Sequence, residues 1–228
     1  MGNEEGKKQL IELLRAKTGL KQDVYANAKQ WFAVFKEELK SCIDLIKDDI
    51  SDDRIRLKYL DKGESEAHLY IGSDILVFYL HTNIFRFNDK NYVAQTSYVK
   101  NNPENAYCGI INIYNFLADS YEYNRPNDLG YLIGRVFVNK ENHFVVEGKG
   151  QLDFLYRDFM HQVLTPEILQ DLILRSAMHA IDFDLLTPPY QSVQQVSVYD
   201  MQTLTQSSKL KTGKRLGFKF QSDKDIQA

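Results

Sequence analysis

The side chains that could do chemistry in this chain are scattered. Five histidines stand at positions 68, 81, 143, 161 and 179, and no two lie at ligand spacing on one element. His179 and Asp182 are three apart on a helical edge and could face one ion, but a zinc site needs more ligands than that pair supplies. A solvated helix edge accounts for them, and no metal or cofactor is expected. His81 lies beside the Thr82-Asn83 turn. As a general base it would need an orienting carboxylate, and Glu64 and Glu66 share its sheet face two strands away. Cys108 precedes Gly109 but has no partner motif, and a buried thiol is the commoner fate of such a residue. Gly130 and Gly134 flank Tyr131, Leu132 and Ile133. They do not open a helix after a strand, so a phosphate-loop reading fails its context.

The stretch from Asn112 to Asp128 is chemically the most unusual. Asn112 and Asn115 sit among apolar residues, where an amide is costly unless hydrogen-bonded. One reading has them bonding the backbone of a bulge or sheet edge. The other is a polar pocket with Arg125 as an anion clamp and Asp128 as its partner, since a guanidinium presents a fixed fork of donors to carboxylate or phosphate. Arg135 and Glu147 extend that set. The candidate ligand-binding residues are therefore Asn112, Asn115, Arg125, Asp128, Arg135 and Glu147. The plain alternative for Arg125 is a surface pair with Asp119 or Asp128.

The elements that must position these residues are an antiparallel meander and three helices. Ile55, Leu57 and Tyr59 alternate with Arg54, Arg56 and Lys58, and Ala67, Leu69 and Ile71 alternate with Glu66, His68 and Tyr70, the period of a half-buried strand. A three-residue loop at Lys62-Gly63-Glu64 sets Tyr59 opposite Ala67, Leu57 opposite Leu69 and Ile55 opposite Ile71. Gly72-Ser73 forms a two-residue turn that pairs Ile71 with Asp74, Leu69 with Leu76 and Ala67 with Phe78. Thr82-Asn83 turns the chain again, placing Leu80 opposite Phe85 and Phe78 opposite Phe87, and a further strand runs from Tyr92 to Val99. The residues from Tyr107 to Asp119 fit a helical stripe as well, but their β-branched content favours a strand. A last hairpin puts Leu132, Val136, Val138, Phe144 and Val146 on one face, Arg135 opposite Glu147, Phe137 opposite Val145, and Asn142 at a left-handed loop position.

Apolar residues from Val24 to Ile50 recur at spacings of three and four, predicting an amphipathic helix about 40 Å long, with Asp23 as its N-cap. A shorter helix carrying Leu10, Ile11, Leu13 and Leu14 precedes it and ends near Gly19. A third opens at Thr165-Pro166-Glu167, buries residues from Ile168 to Ile181, and is stopped by Pro188-Pro189. The fold class is α+β: two N-terminal helices, an antiparallel meander sheet of about seven or eight strands, and one C-terminal helix packed on the sheet. Residues 1–206 read as a single domain (1–50 helical, 54–150 sheet, 165–186 C-terminal helix). Residues 207–228 read as a basic, flexible tail, in which 216–220 could dock as a strand.

The bulk properties exclude several functions. At 228 residues with net charge −3 and pI near 6.0, the chain lacks the basic surface of a duplex binder, so no nucleic acid is expected. The longest apolar run, Ile75 to Leu80, is far too short for a membrane span. The acidic start shows no signal peptide, and Cys42 and Cys108 are the only cysteines, so a disulfide is not expected and a cytoplasmic location is. The first functional expectation is a non-enzymatic cytoplasmic binding or assembly module that holds a protein partner or a second copy of itself as a homodimer. The alternative is a small-anion binding protein or enzyme with its polar site around Arg125, Asp128, Arg135 and Glu147.

Overall fold

A computed structural model describes residues 2–183, 189–199 and 201–202. The expected tail, 207–228, and its strand at 216–220 lie outside the described residues, as does Pro188. The fold is α+β. Helix α1 (Gly2–Leu13) runs through a π-helical segment (Leu14–Thr18) into α2 (Gly19–Lys47). Seven antiparallel strands follow: β1 (Leu57–Asp61), β2 (Glu66–Ile71), β3 (Asp74–Leu80), β4 (Phe85–Arg86), β5 (Tyr107–Leu117), β6 (Tyr131–Val138) and β7 (Phe144–Gly148). The short helices are α3 (Ser97–Asn101), α4 (Ala118–Glu122), α5 (Gln151–Leu155) and α7 (Tyr190–Val193). The C-terminal helix α6 spans Pro166–Ile181. The sheet order is β1-β2-β3-β5-β6-β7, with β4 pairing β5.

The helices at the N-terminus are one joined helix, against the expectation of two. Gly19 takes ordinary right-handed helical angles, so it does not terminate anything, and Asp23 lies inside the helix rather than capping it. Downstream the expected stripe is the buried one: Val24, Ala28, Phe32, Phe35, Leu39, Cys42 and Ile43 face the sheet. Helix α6 opens as its sequence dictates, with Thr165 Oγ accepting from the Ile168 N–H at 3.3 Å. Its C-cap is Asp182, and Ile181 is exposed rather than buried. Together α2 and α6 cover one sheet face, burying Phe35, Leu69, Phe78, Ile111, Val136 and Leu172 in one cluster. Each such side chain contributes about 1.5–3 kcal/mol by leaving water.

The β2–β3 and β6–β7 hairpins have the expected registers. Leu69 faces Leu76 and Ala67 faces Phe78. Arg135 faces Glu147 and Phe137 faces Val145, and Asn142 is left-handed at φ +67°. Residues 107–117 are strand. The β1–β2 register differs from the expected one. Tyr59 pairs with Leu69, Leu57 with Ile71 and Asp61 with Ala67. The loop shifts because the Asp61 carboxylate accepts the Gly63 N–H at 2.8 Å and Gly63 takes φ +103°. A slip of two keeps every side chain on its face, so burial does not oppose it, and Ile55 is left outside the strand and exposed.

Two expected strands are otherwise arranged. After β3 the chain does not fold back at Thr82-Asn83. It continues along β5, with the His81 N–H donating to Ile110 O at 2.8 Å and Phe85 opposite Cys108. Residues 92–99 are not a strand; a 3-10 turn and α3 occupy them, the latter capped by Thr96. This insertion packs Phe87, Val93 and Val99 against Cys108, Ile110 and Phe137 on the other sheet face, making a second core. In β6 a bulge against Ile113/Tyr114 turns Leu132 outward and exposed while Ile133 takes the buried place.

Candidate functional site

The six expected site residues fall in three places. Asn112, Arg135 and Glu147 stand in one row across the outer sheet face, because Tyr79 pairs with Asn112, Asn112 with Arg135 and Arg135 with Glu147. Arg135 is hydrogen-bonded to Glu147 and lies over the Phe137 ring at 5.5 Å. The row is a charge pair laid beside aromatic side chains.

Asn115 is on the opposite face, at the end of the helix-covered core. It donates to Asp74, whose other partner is the Ser73 hydroxyl at 3.0 Å. Burial pushes the Asp74 carboxyl above its usual range, against the pull of both donors. Asn115 Oδ1 is buried and has no hydrogen-bond partner among the described residues.

Arg125 and Asp128 occupy the turn after α4. The Arg125 guanidinium is not an exposed loop group: its side chain is 7% exposed, with Nη1 3.9 Å from Asp128 Oδ2, and it lies 5.3 Å from the Tyr123 ring centre. Asp128 also accepts from Ser120 Oγ at 2.8 Å, and the Arg125 N–H donates to Ser120 O at 2.8 Å. Beside this turn is a cleft of about 370 Å³, whose described lining includes Ser120, Tyr121, Asn124, Arg125 and Asp128 but neither Arg135 nor Glu147. The four charged residues of the expected anion site therefore form two separate ion pairs, one in the outer row and one in this turn.

The histidines are distributed differently from the sequence expectation. Glu66, which could have oriented His81, lies 2.5 Å from Nε2 of His68 instead. His68 is buried beneath Tyr121, whose ring stands edge-on at 5.0 Å. Burial lowers the His68 pKa from 6.5, although Glu66 pulls it upward. His81 Nδ1 accepts the Asn83 N–H at 3.0 Å, which closes the bend between β3 and β4. His143 stacks on Tyr98 at 4.3 Å. Cys42 and Cys108 are both buried free thiols, and burial pushes the Cys108 thiol far above its ordinary pKa. No group of three or more metal-ligating side chains occurs among the described residues, and no described helix is long and apolar enough to cross a membrane.

The surface that the expected site set omits is the N-terminal helix. Residues 3–18 are exposed without a break, and Leu20 is the first buried position. Leu10, Ile11, Leu13 and Leu14 are 39–57% exposed. The four apolar residues were legible in the sequence. Their lack of a partner was not, because the same periodicity describes a helix laid on a sheet. Comparison of the chain with protein-family models, curated proteins and solved structures finds no match.

Proposed function

We propose that this protein is a non-enzymatic assembly module that associates through its N-terminal helical arm, residues 2–18, and that the partner is a second copy of the chain. The supporting observation is the exposed apolar stripe of Leu10, Ile11, Leu13 and Leu14 on a helix that rests on nothing else among the described residues. An isolated helix of that length is marginal in water. The arm extends from α2, which supplies its first turn, but four large apolar side chains in solvent are a surface that association would cover.

The charge pattern favours a second copy, antiparallel. Glu4 and Glu5 open the arm, Lys7, Lys8 and Glu12 stand in its middle, and Arg15 and Lys17 lie toward its junction with the body. Antiparallel pairing sets Glu4 and Glu5 against the other copy's Arg15 and Lys17, and Lys8 against Glu12, whereas parallel pairing sets like charges together. The π-helical segment at Leu14–Thr18 widens the turn between arm and body. An enzymatic reading is less well supported, since in the His68–Glu66 pair the imidazole is buried beneath Tyr121 and the His161–Asp158 pair is exposed at the surface and lines neither the cleft beside Arg125 nor the one beside α6. Two buried free thiols fit a reducing, cytoplasmic setting.

Sedimentation of the full chain at micromolar concentration tests this. The wild type should run at twice 26.5 kDa, and the double variant Leu10→Glu/Leu14→Glu should run as a monomer with an unchanged melting temperature. A wild-type monomer, or a variant that still dimerises, overturns the reading.

A further inference from the structure

We propose that a second cleft, between the β7–α5 connection and the C-terminal half of α6, binds a small organic oxyanion: a carboxylate or phosphate head carried on a short apolar body. The cleft measures about 600 Å³. Its described lining divides by chemistry into polar groups (Lys149, Gln151, Arg175 and His179), apolar side chains (Leu152, Met178 and Ile181), and one acid, Asp182.

The polar groups are held by the fold. Gly150 takes φ +56°, and a Cβ built on it would lie 3.8 Å from His179 Nδ1. The connection thus passes close to the imidazole, with Lys149 and Gln151 on either side of the glycine. Arg175 is fixed at two points: its Nε donates to Asp171 Oδ2 at 2.7 Å, and its Nη1 donates to Gln151 Oε1. Asp171 also accepts from the Tyr156 hydroxyl and does not line the cleft. The Lys149 ammonium has no ion pair or hydrogen bond among the described residues. His179 is half-buried between Lys149 and Asp182, and burial lowers its pKa, so near neutrality it offers a neutral ring N–H.

Arg175 is already neutralised by Asp171, so the cation that an incoming anion would meet unpaired is the Lys149 ammonium, with Asp182 the one acid in the described lining. An oxyanion would accept from the Lys149 ammonium, from a guanidinium already oriented for a planar or tetrahedral acceptor, and from His179. Leu152 forms an apolar wall, and Met178 and Ile181 are more than half exposed, where an apolar body would cover them. The sequence placed His179 and Asp182 on one helical edge, but Lys149, Gln151 and Arg175 escaped it because α5 and α6 are joined by an irregular segment that no periodicity describes.

The test is an NMR titration of the full-length protein with phenyl phosphate, benzoate and inorganic phosphate, against sodium chloride at matched ionic strength. The His179 ring signals should shift saturably with phenyl phosphate or benzoate. Inorganic phosphate, which has no apolar body, should bind at least about tenfold more weakly than phenyl phosphate. The phenyl phosphate and benzoate arms decide which head is preferred. Lys149→Ala should weaken binding by about tenfold or more without changing the melting temperature, and His179→Gln should weaken it as well. Shifts that chloride reproduces, no saturable shift with either aromatic anion, or undiminished binding in Lys149→Ala would overturn the proposal.

Discussion

The indole N–H of Trp31 donates to the side-chain oxygen of Asn142 at 2.7 Å, joining residues 111 apart in the chain. The same oxygen accepts from Asn27 Nδ2 at 2.9 Å, and Asn27 also donates to Asn139 O at 2.8 Å. One left-handed loop residue thereby fastens the long helix to the β6–β7 hairpin, and the only tryptophan of the chain stands at the joint.

Asn142→Ala should destabilise the protein by about 2–3 kcal/mol. It leaves two donors without their acceptor and forces a Cβ residue with no compensating hydrogen bond into the left-handed region. Asn142→Gly restores the backbone freedom and should cost about 1 kcal/mol less than alanine does. Urea titration followed by Trp31 fluorescence measures both. Equal losses for the two variants would show that the backbone conformation contributes nothing.

A second prediction concerns the closest approach of helix to sheet. A Cβ built on Gly109 lies 2.4 Å from the Cβ of Ala28, so α2 crosses β5 at a place where two side-chain carbons do not fit. Gly109→Ala should destabilise by about 1–3 kcal/mol through overpacking. Ala28→Gly alone should cost about 1 kcal/mol as a helix glycine. The double variant should recover part of the Gly109→Ala loss, a coupling that a double-mutant cycle reads directly. Additive losses would place the strain elsewhere.

A third follows from Asp74. Its folded pKa is raised above the ordinary 3.8, chiefly by burial. A raised folded pKa contributes stability that is complete below 3.8 and lost as pH rises through the folded value, so at neutral pH the charged carboxylate works against folding. Asp74→Asn removes that charge and offers an N–H to the unpartnered Asn115 Oδ1. Stability at pH 7 should rise by on the order of 1 kcal/mol, with little gain at pH 3.5. Chemical denaturation at the two pH values checks this, and a loss at pH 7 would mean that the ionised pair is favourable.

The β2–β3 and β6–β7 hairpins were legible because each loop is short and local turn chemistry leaves one register that buries Leu69 with Leu76 or Val136 with Val146. Helix α6 was legible from Thr165 and Pro166 for the same reason: a cap acts on its own backbone. The β1–β2 register was not, since a slip of two costs no burial and an Asp61–Gly63 hydrogen bond decides it. The inversion of Leu132 and Ile133 was hidden as well, because a bulge is set by the partner strand and leaves no mark in the alternation of β6.

The site followed the same division. Composition and period alone determined the α+β class, most of the residues that enter the core and the pairing of Arg135 with Glu147, because these rest on interactions between near neighbours or on whole stripes of apolar residues. Only the tertiary structure decided that Arg125 is buried beside Asp128, that Glu66 serves His68 rather than His81, that Leu10 to Leu14 stay exposed, and that Lys149, Arg175 and His179 share a cleft. Those are contacts between elements distant in the chain, and residue type and spacing carry no information about which distant surface a side chain will meet.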